Sequence, residues 1–147
     1  MVLNNMTEYT AFTQALKKSG MRLTPQRLAI CRFMAESTHH PTSEEIFRAL
    51  KEDFPSMSLA TVYNTLDVLV ALGAVNALGS VGDNKVHFDG NTAPHINLAC
   101  VRCHQIKDVS SEYVAKMDSE ISGKSGYQLL GSRVLYYGIC PDCQKAN

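Results

Sequence analysis

The sequence lacks the features that would direct the chain into a membrane or out of the cell. None of its apolar runs approaches the roughly 20 residues that a membrane-spanning helix needs. The first ten residues, MVLNNMTEYT, do not show the basic-then-apolar order of a secretory signal peptide. We therefore expect a cytoplasmic protein without a membrane partner. Thiols stay reduced in that compartment, so paired cysteines more often bind metal than form disulfides.

The chain also lacks a net charge, because 14 Lys and Arg residues balance 14 Asp and Glu residues. The distribution is uneven, however. No acidic residue lies between Glu8 and Glu36, and the basic residues of that stretch are Lys17, Lys18, Arg22, Arg27 and Arg32. Two interpretations stay open at this point: a solvated basic helix face, or a local patch that binds phosphate groups.

Helix-capping signals dominate the first half of the chain. Thr7 is a possible N-cap for a helix that runs to about Lys18, and Thr24 precedes a proline at the first position of a second helix, which would extend to about residue 36. Thr42, with Glu45 three residues later, forms a capping-box pattern. Cys31 is predicted to be a core residue of the second helix.

A fourth helix is predicted from Ser58 to near Gly73, with one apolar stripe toward the core: Val62, Leu66, Leu69 and Leu72. The segments AVNAL and KVHFD then flank the turn sequence GSVGDN and predict a β-hairpin. Helices followed by such a hairpin are typical of a winged helix-turn-helix domain, which we place at residues 1–88.

A second, smaller α/β unit is predicted at residues 89–147, after a hinge at about 89–94. HINLAC and IKDV are predicted strands, and GYQLLGSRVLYYGI is predicted to form one long or two short strands. A helix between them would carry an apolar face of Tyr113, Val114, Met117 and Ile121. So small a unit needs a metal, a second chain or both to be stable. The predicted fold class is therefore α+β, in two parts.

Two C-x2-C pairs stand in this second unit, separated by 36 residues: Cys100 with Cys103, and Cys140 with Cys143. This spacing is typical of a structural zinc site with four thiolate ligands. The alternative is a redox-active dithiol in the CPDC sequence, which needs a helix N-terminus or a cation to lower the thiol pKa. Only four residues follow Cys143, which we expect to be too few for such a helix.

Several segments resemble the ferric-uptake-regulator family of metal-dependent bacterial repressors. RLTPQR (22–27), HHPTSEEIF (39–47), ATVYNTL (60–66) and the two cysteine pairs follow one another in the order of that family. The resemblance implies a winged-helix DNA-binding domain, joined by a hinge to a dimerisation domain that holds structural zinc. It also implies a second metal site at the hinge, whose occupancy controls DNA binding.

By this resemblance, the regulatory site consists of His40, Asp89, His95, Asn97 and Asp108. Imidazole nitrogens and carboxylate oxygens are harder ligands than thiolates and suit Fe(II) or Mn(II). Because His40 lies in the helical half and the others lie beyond it, one ion would connect the two parts. Without the family pattern, His40 would equally fit a turn and Asp108 a solvated strand end.

Aspartate at position 108 resembles the peroxide-sensing members of the family, whereas iron-uptake members typically carry glutamate. The resemblance implies that peroxide oxidises a histidine ligand, His40 or His95, and so lifts repression. Asn97 departs from the pattern, which has histidine there, and a neutral amide oxygen is a weaker donor than imidazole. Two further histidines lie nearby and could substitute as ligands, although we expect them to be exposed and without a role: His87 and His104.

The helix that begins at Ser58 is the predicted recognition helix, with its N-terminal residues in the major groove. Tyr63 and Asn64 are predicted to read bases, because an amide can pair with adenine and an aromatic ring can pack on thymine methyl groups. The alternative for Tyr63 is packing against a neighbouring residue. Contacts to phosphates or to the minor groove are predicted for Ser58, Thr61, Lys18 and Arg22.

The sequence thus predicts a homodimeric repressor, not an enzyme, that binds an AT-rich palindromic operator in double-stranded DNA. It would hold structural zinc and sense peroxide through Fe(II) or Mn(II). An iron- or manganese-uptake regulator is the alternative within the same family. Two hypotheses of other classes stay open: a thiol oxidoreductase that uses Cys140 and Cys143, and a zinc-stabilised interaction module without a role on DNA.

Overall fold

The computed structural model describes residues 2–146. Four helices come first: α1 (Val2–Lys18), α2 (Pro25–Glu36), α3 (Ser43–Leu50) and α4 (Leu59–Ala71). An antiparallel hairpin follows, made of β1 (Asn76–Leu78) and β2 (His87–Asp89). The remaining elements are β3 (Ile96–Cys100), β4 (Ile106–Val109), α5 (Glu112–Ser125), β5 (Val134–Gly138) and α6 (Pro141–Lys145). The predicted α+β class is confirmed.

Local capping chemistry sets the starts of three of the helices, as predicted. The hydroxyls of Thr24 and Ser58 each accept a hydrogen bond from the main-chain N–H three residues later. Thr42 and Glu45 form both bonds of the capping box. The prediction for Thr7 was wrong, because Thr7 lies inside α1. No glycine or proline precedes Thr7 that would stop the helix from extending upstream.

The main core lies among the first four helices and is closed by the hairpin. Its largest fully buried members include Phe12, Leu16, Ile30, Met34, Ile46, Leu66 and Leu69. Cys31 belongs to this core, as predicted, and burial raises the pKa of its thiol to about 12. Leu72 was wrongly predicted to face the core: α4 ends before it, and its side chain is 47% exposed.

The hairpin β1–β2 stands after α4 as the wing of a winged helix-turn-helix arrangement. The main-chain N–H of Phe88, in β2, donates to the carbonyl of Pro41 at 2.9 Å, so the wing is attached to the segment that precedes α3. The strand β2 continues to Asp89, where the hinge is predicted to begin. The domain boundary between residues 88 and 89 stays a prediction.

The second sheet has the strand order β4-β3-β5. The strands β3 and β4 are antiparallel and place Asn97 opposite Asp108, whereas β3 and β5 are parallel and are linked through α5. The last strand is shorter than the sequence predicted. Residues 126–133 form no strand, because α5 ends with Gly126 in the left-handed conformation and the chain extends again only at Val134.

The predicted apolar face of α5 is only partly buried in the described chain. Val114 is buried, but three residues of the same pattern are exposed: Tyr113, Met117 and Ile121. None of the helices in the described residues is both long and apolar enough to cross a membrane.

Candidate metal centres and DNA-facing helix

Four cysteine thiols converge where the end of β3 meets α6: those of Cys100, Cys103, Cys140 and Cys143. Their sulfur atoms all lie within 4.8 Å of one another, and the sulfurs of Cys103 and Cys140 are 3.8 Å apart. A tetrahedral zinc ion with Zn–S bonds of about 2.3 Å would separate its sulfur ligands by about 3.8 Å. The spacing is too long for a disulfide and fits zinc.

Main-chain N–H groups point at these sulfurs and stabilise negative charge on one of them. Hydrogen bonds from the main chain of Cys103 and then of Cys140 lower the pKa of Cys100 to about 5. In contrast, the side-chain hydrogen bond with Cys140, together with burial, raises the pKa of Cys143 to about 12. Four thiolates this close repel one another, and a dication relieves that repulsion.

This pattern does not suit a thioredoxin-like dithiol. The sequence predicted no helix after the second pair, and this prediction was wrong: α6 begins at Pro141 with Cys140 as its N-cap. The short helix does not produce a reactive CPDC pair, however. Its two thiols share one cluster with those of Cys100 and Cys103, and all four sulfurs lie within 4.8 Å of one another.

A second cluster joins the segment before α3 to both sheets. His40 precedes α3, Asp89 ends β2, His95 precedes β3 and Asp108 lies in β4. His40 Nε2 is 2.9 Å from Asp108 Oδ1 and 3.4 Å from Asp89 Oδ2, and His95 Nε2 is 2.8 Å from Asp89 Oδ2. The two imidazole nitrogens therefore face the two carboxylates across one small space.

Asn97 adds an unusual polar atom to this region. Its side chain is 2% exposed, and Oδ1 has no hydrogen-bond partner among the described residues. The antiparallel register puts Asn97 directly opposite Asp108, so the two side chains share one face of the sheet. A buried acceptor without a donor is costly, typically by about 1–3 kcal/mol. A cation bound beside this oxygen would remove that cost.

The cluster is electrostatically coupled. Burial opposes charge on the ring of His40, but the hydrogen bond and negative charge of Asp89 outweigh it and raise the pKa of His40. Burial likewise acts to raise the pKa of Asp89, and hydrogen bonds to His40 and the main chain of Asn91 hold it below its usual value. Glu8 of α1 and three of the cluster residues line an adjoining cavity of about 100 Å³. Burial and, to a smaller extent, the negative charge of Asp89 raise the pKa of Glu8.

The two histidines that were expected to be exposed are not. His87 is buried, with Nε2 2.7 Å from Asp83 Oδ2 and Nδ1 2.8 Å from the carbonyl of His40. His104 is half-buried, and its Nδ1 lies 3.1 Å from the carbonyl of Val81. The burial of His87 could have been inferred from the sequence. Side chains alternate along a strand, so His87 lies on the same face of β2 as Asp89, a predicted metal ligand.

The helix α4 presents a polar surface at its N-terminal end. Asn64 is exposed, and Tyr63 is 39% exposed, with its hydroxyl donating to a carboxylate oxygen of Glu44 in α3 at 2.5 Å. The hydroxyls of Ser58 and Thr61 are 3.0 Å apart at the start of the helix. Two exposed basic residues lie at the end of α1 and shortly after it: Lys18 and Arg22. Tyr63 therefore contacts a neighbour and also remains accessible.

Residues 18–137 match the model of the ferric uptake regulator family, and the chain belongs to that family. The peroxide-responsive repressor PerR of Staphylococcus aureus (strain USA300) is 37% identical over 130 residues, which are 88% of this chain and 87% of the relative. These comparisons confirm the resemblance that the sequence indicated. The family consists of transcriptional regulators, not enzymes.

Solved structures agree with this assignment. A structure of PerR from Streptococcus pyogenes, described in terms of peroxide sensing and gene regulation, is 39% identical, covers 92% of each chain and has a TM-score of 0.52. The ferric uptake regulator Fur of Helicobacter pylori, described as having three functional metal-binding sites, has a TM-score of 0.76 at 18% identity, with 95% of this chain and 93% of that chain covered. The latter similarity supports the fold alone.

Proposed function

We propose that the protein is a metal-dependent transcriptional repressor that senses peroxide. The observation that carries this proposal is the cluster of His40, Asp89, His95 and Asp108, whose ligand atoms lie within 4.8 Å of one another. Its members come from the helical part, from the wing and from the sheet that follows the wing. One ion bound there would hold these parts in a fixed arrangement, and its loss would release them.

The donor set fits Fe(II) or Mn(II). Two imidazole nitrogens and two carboxylates provide borderline and hard ligands, and the partnerless Oδ1 of Asn97 is the proposed fifth donor. The sulfur cluster differs in kind and fits structural zinc. When bound, Fe(II) would supply the redox chemistry that activates hydrogen peroxide. The protein's part is to hold His40 and His95 beside the ion.

Derepression follows from oxidation of one of these histidines. One oxygen atom of hydrogen peroxide adds to a ring carbon of His40 or His95, which replaces a C–H bond by C–OH, and the other oxygen leaves as water. The histidine loses two electrons and the peroxide gains them. The modified ring fits the buried site less well, since His40 is 7% and His95 9% exposed. Metal affinity then falls, and the arrangement that binds DNA is lost.

DNA recognition is assigned to α4 and its surroundings. Tyr63 and Asn64 are the proposed base-reading residues, because both are exposed near the N-terminal end of the helix. The proposed contacts to phosphates or to the minor groove come from Ser58, Thr61, Lys18 and Arg22. The hydrogen bond from Tyr63 to Glu44 fixes the ring on the surface of α4, which favours a defined contact over a flexible one.

A homodimer is proposed from the uncovered apolar face of the C-terminal part. Three apolar side chains along one face of α5 are exposed: Tyr113, Met117 and Ile121. A second copy that covers this face would place two recognition helices about a twofold axis, which suits an AT-rich palindromic operator in double-stranded DNA. Four free thiols that bind zinc suit the reducing cytoplasm, where DNA is accessible.

The test is binding to DNA duplexes selected from a random pool by the Mn(II)-loaded protein. Removal of Mn(II) should abolish binding. Tyr63→Ala should weaken binding to selected duplexes by about 1–3 kcal/mol, roughly ten- to a hundredfold, and leave random DNA nearly unaffected. Lys18→Ala should weaken both and lower the salt dependence by about one unit of slope. The control is Leu72→Ala, which truncates an exposed side chain just after the far end of the same helix.

Binding that is independent of metal, or equal losses from Tyr63→Ala on both kinds of DNA, would contradict the proposal. The alternative within the family is an iron- or manganese-uptake regulator with the same sites. Release from DNA on metal removal but not on peroxide treatment would favour that alternative. The relatives that carry the name PerR, and aspartate at position 108, support the peroxide sensor.

A further inference from the structure

The two histidines of the metal cluster are held in different ways. The ring of His95 is fixed from both sides, since Nε2 faces Asp89 and Nδ1 lies 2.7 Å from the carbonyl of Ala93. The Nδ1 of His40 is buried and has no hydrogen-bond partner among the residues described. Metal-binding histidines are usually oriented by a partner on the second ring nitrogen. His40 therefore needs another source of orientation.

The main chain of His40 provides it. Its carbonyl oxygen accepts a hydrogen bond from Nδ1–H of His87 at 2.8 Å. A carbonyl oxygen can only accept, so this contact requires the proton on Nδ1 of His87. One residue further on, the carbonyl of Pro41 accepts from the main chain of Phe88. The strand β2 thus contacts the His40–Pro41 segment at two consecutive carbonyls and also supplies the ligand Asp89.

The ring of His87 is itself fixed by the loop of the wing. Its Nε2 lies 2.7 Å from Oδ2 of Asp83, and the side chains of His87 and Asp83 are 8% and 16% exposed. The other oxygen of Asp83 accepts from the main chain of Lys85 at 3.2 Å, which orients the carboxylate. A continuous set of hydrogen bonds therefore leads from the wing loop to His40.

We propose that Asp83 and His87 are positioning residues of the regulatory metal site, and that they act on His40 through its main chain. This inference rests on the proposed function, because it requires that the cluster binds a divalent ion. It gives a role to a buried histidine that does not belong to the ligand set. It also connects the metal site directly to the loop of the wing, an element that lies beside DNA in winged-helix proteins.

The experiment measures Mn(II) binding to the zinc-containing protein by electron paramagnetic resonance of the free ion. Loss of the partners of metal ligands typically costs ten- to a hundredfold in affinity. We expect a loss in that range for His87→Leu, and a smaller loss for Asp83→Ala, which leaves the bond from His87 to His40 in place. His87→Asn should recover most of the affinity, because its amide N–H lies close to the position of Nδ1.

The matched control is Ser80→Ala. The hydroxyl of Ser80 accepts from the main chains of Gly82 and Asn84, so this variant removes two hydrogen bonds from the same loop without touching His40. It should bind Mn(II) as the wild type does. Asp83→Ala and Ser80→Ala should have similar unfolding temperatures without Mn(II), because each loses two hydrogen bonds. A difference in Mn(II) affinity then reports positioning and not loop stability.

Wild-type affinity in Asp83→Ala and in folded, zinc-containing His87→Leu would overturn the inference, as would an equal loss in Ser80→Ala. If His87→Leu does not fold, the comparison of Asp83→Ala with Ser80→Ala decides alone. Failure of the proposed function gives a different result: the wild type and Asp108→Ala would bind Mn(II) equally, which would show that the cluster is not the site.

Discussion

Asn97 is the residue at which this chain departs from its family. Sequence alone identified the departure but not its structural setting. The side chain is buried, lies opposite Asp108 and has an amide oxygen without a partner among the described residues. An apolar residue would fill such a position at lower cost if no cation were ever present. The partnerless oxygen therefore favours Asn97 as a weak ligand.

We expect Asn97→His to tighten Mn(II) binding by about ten- to a hundredfold, because an imidazole nitrogen is a stronger donor than a neutral amide oxygen. Titration with Mn(II), followed by electron paramagnetic resonance, measures the change. The control is Leu98→His, which places the same ring on the opposite, exposed face of β3. Unchanged affinity in Asn97→His would show that position 97 does not face the ion.

Among the elements, local capping signals located three of the four predicted helix starts, and the start at Thr7 was wrong. Thr24, Thr42 and Ser58 cap the predicted helices because a cap depends only on the following three residues. The failures depend on more distant structure. Leu72 continues an apolar pattern beyond the end of its helix, and α6 forms although few residues follow Cys143.

The sulfur cluster attaches the short α6 to the end of β3, the central strand of the second sheet. We expect Cys143→Ser to lose zinc and to unfold the C-terminal part, because structural zinc contributes on the order of 10 kcal/mol of apparent binding free energy. Zinc content and the unfolding curve measure this. Cys31→Ala, which removes a buried thiol outside the cluster, should keep its zinc. A zinc-free Cys143→Ser with the wild-type unfolding curve would contradict the structural role.

At the scale of the whole molecule, the regulatory cluster brings together residues that are far apart in the sequence. No local pattern links His40 to Asp108, and only the resemblance to a family predicted that they meet. The roles of Asp83 and His87 could not be predicted in that way, because they depend on how the wing packs against the segment before α3. The exposure of α5 could not be predicted for the same reason. Its apolar pattern is visible in the sequence, but whether another element covers that face depends on the packing of the described chain.

A metal ion in the His/Asp cluster is proposed to make DNA binding sensitive to peroxide. The most direct measurement is mass spectrometry of the Fe(II)-loaded protein after treatment with hydrogen peroxide, with DNA release followed in the same sample. We predict one added oxygen atom on the peptide that contains His40 or His95, in proportion to the DNA released, and neither change when Mn(II) replaces Fe(II). Release of DNA with both histidines unmodified, or oxidised histidines with DNA still bound, would contradict the account.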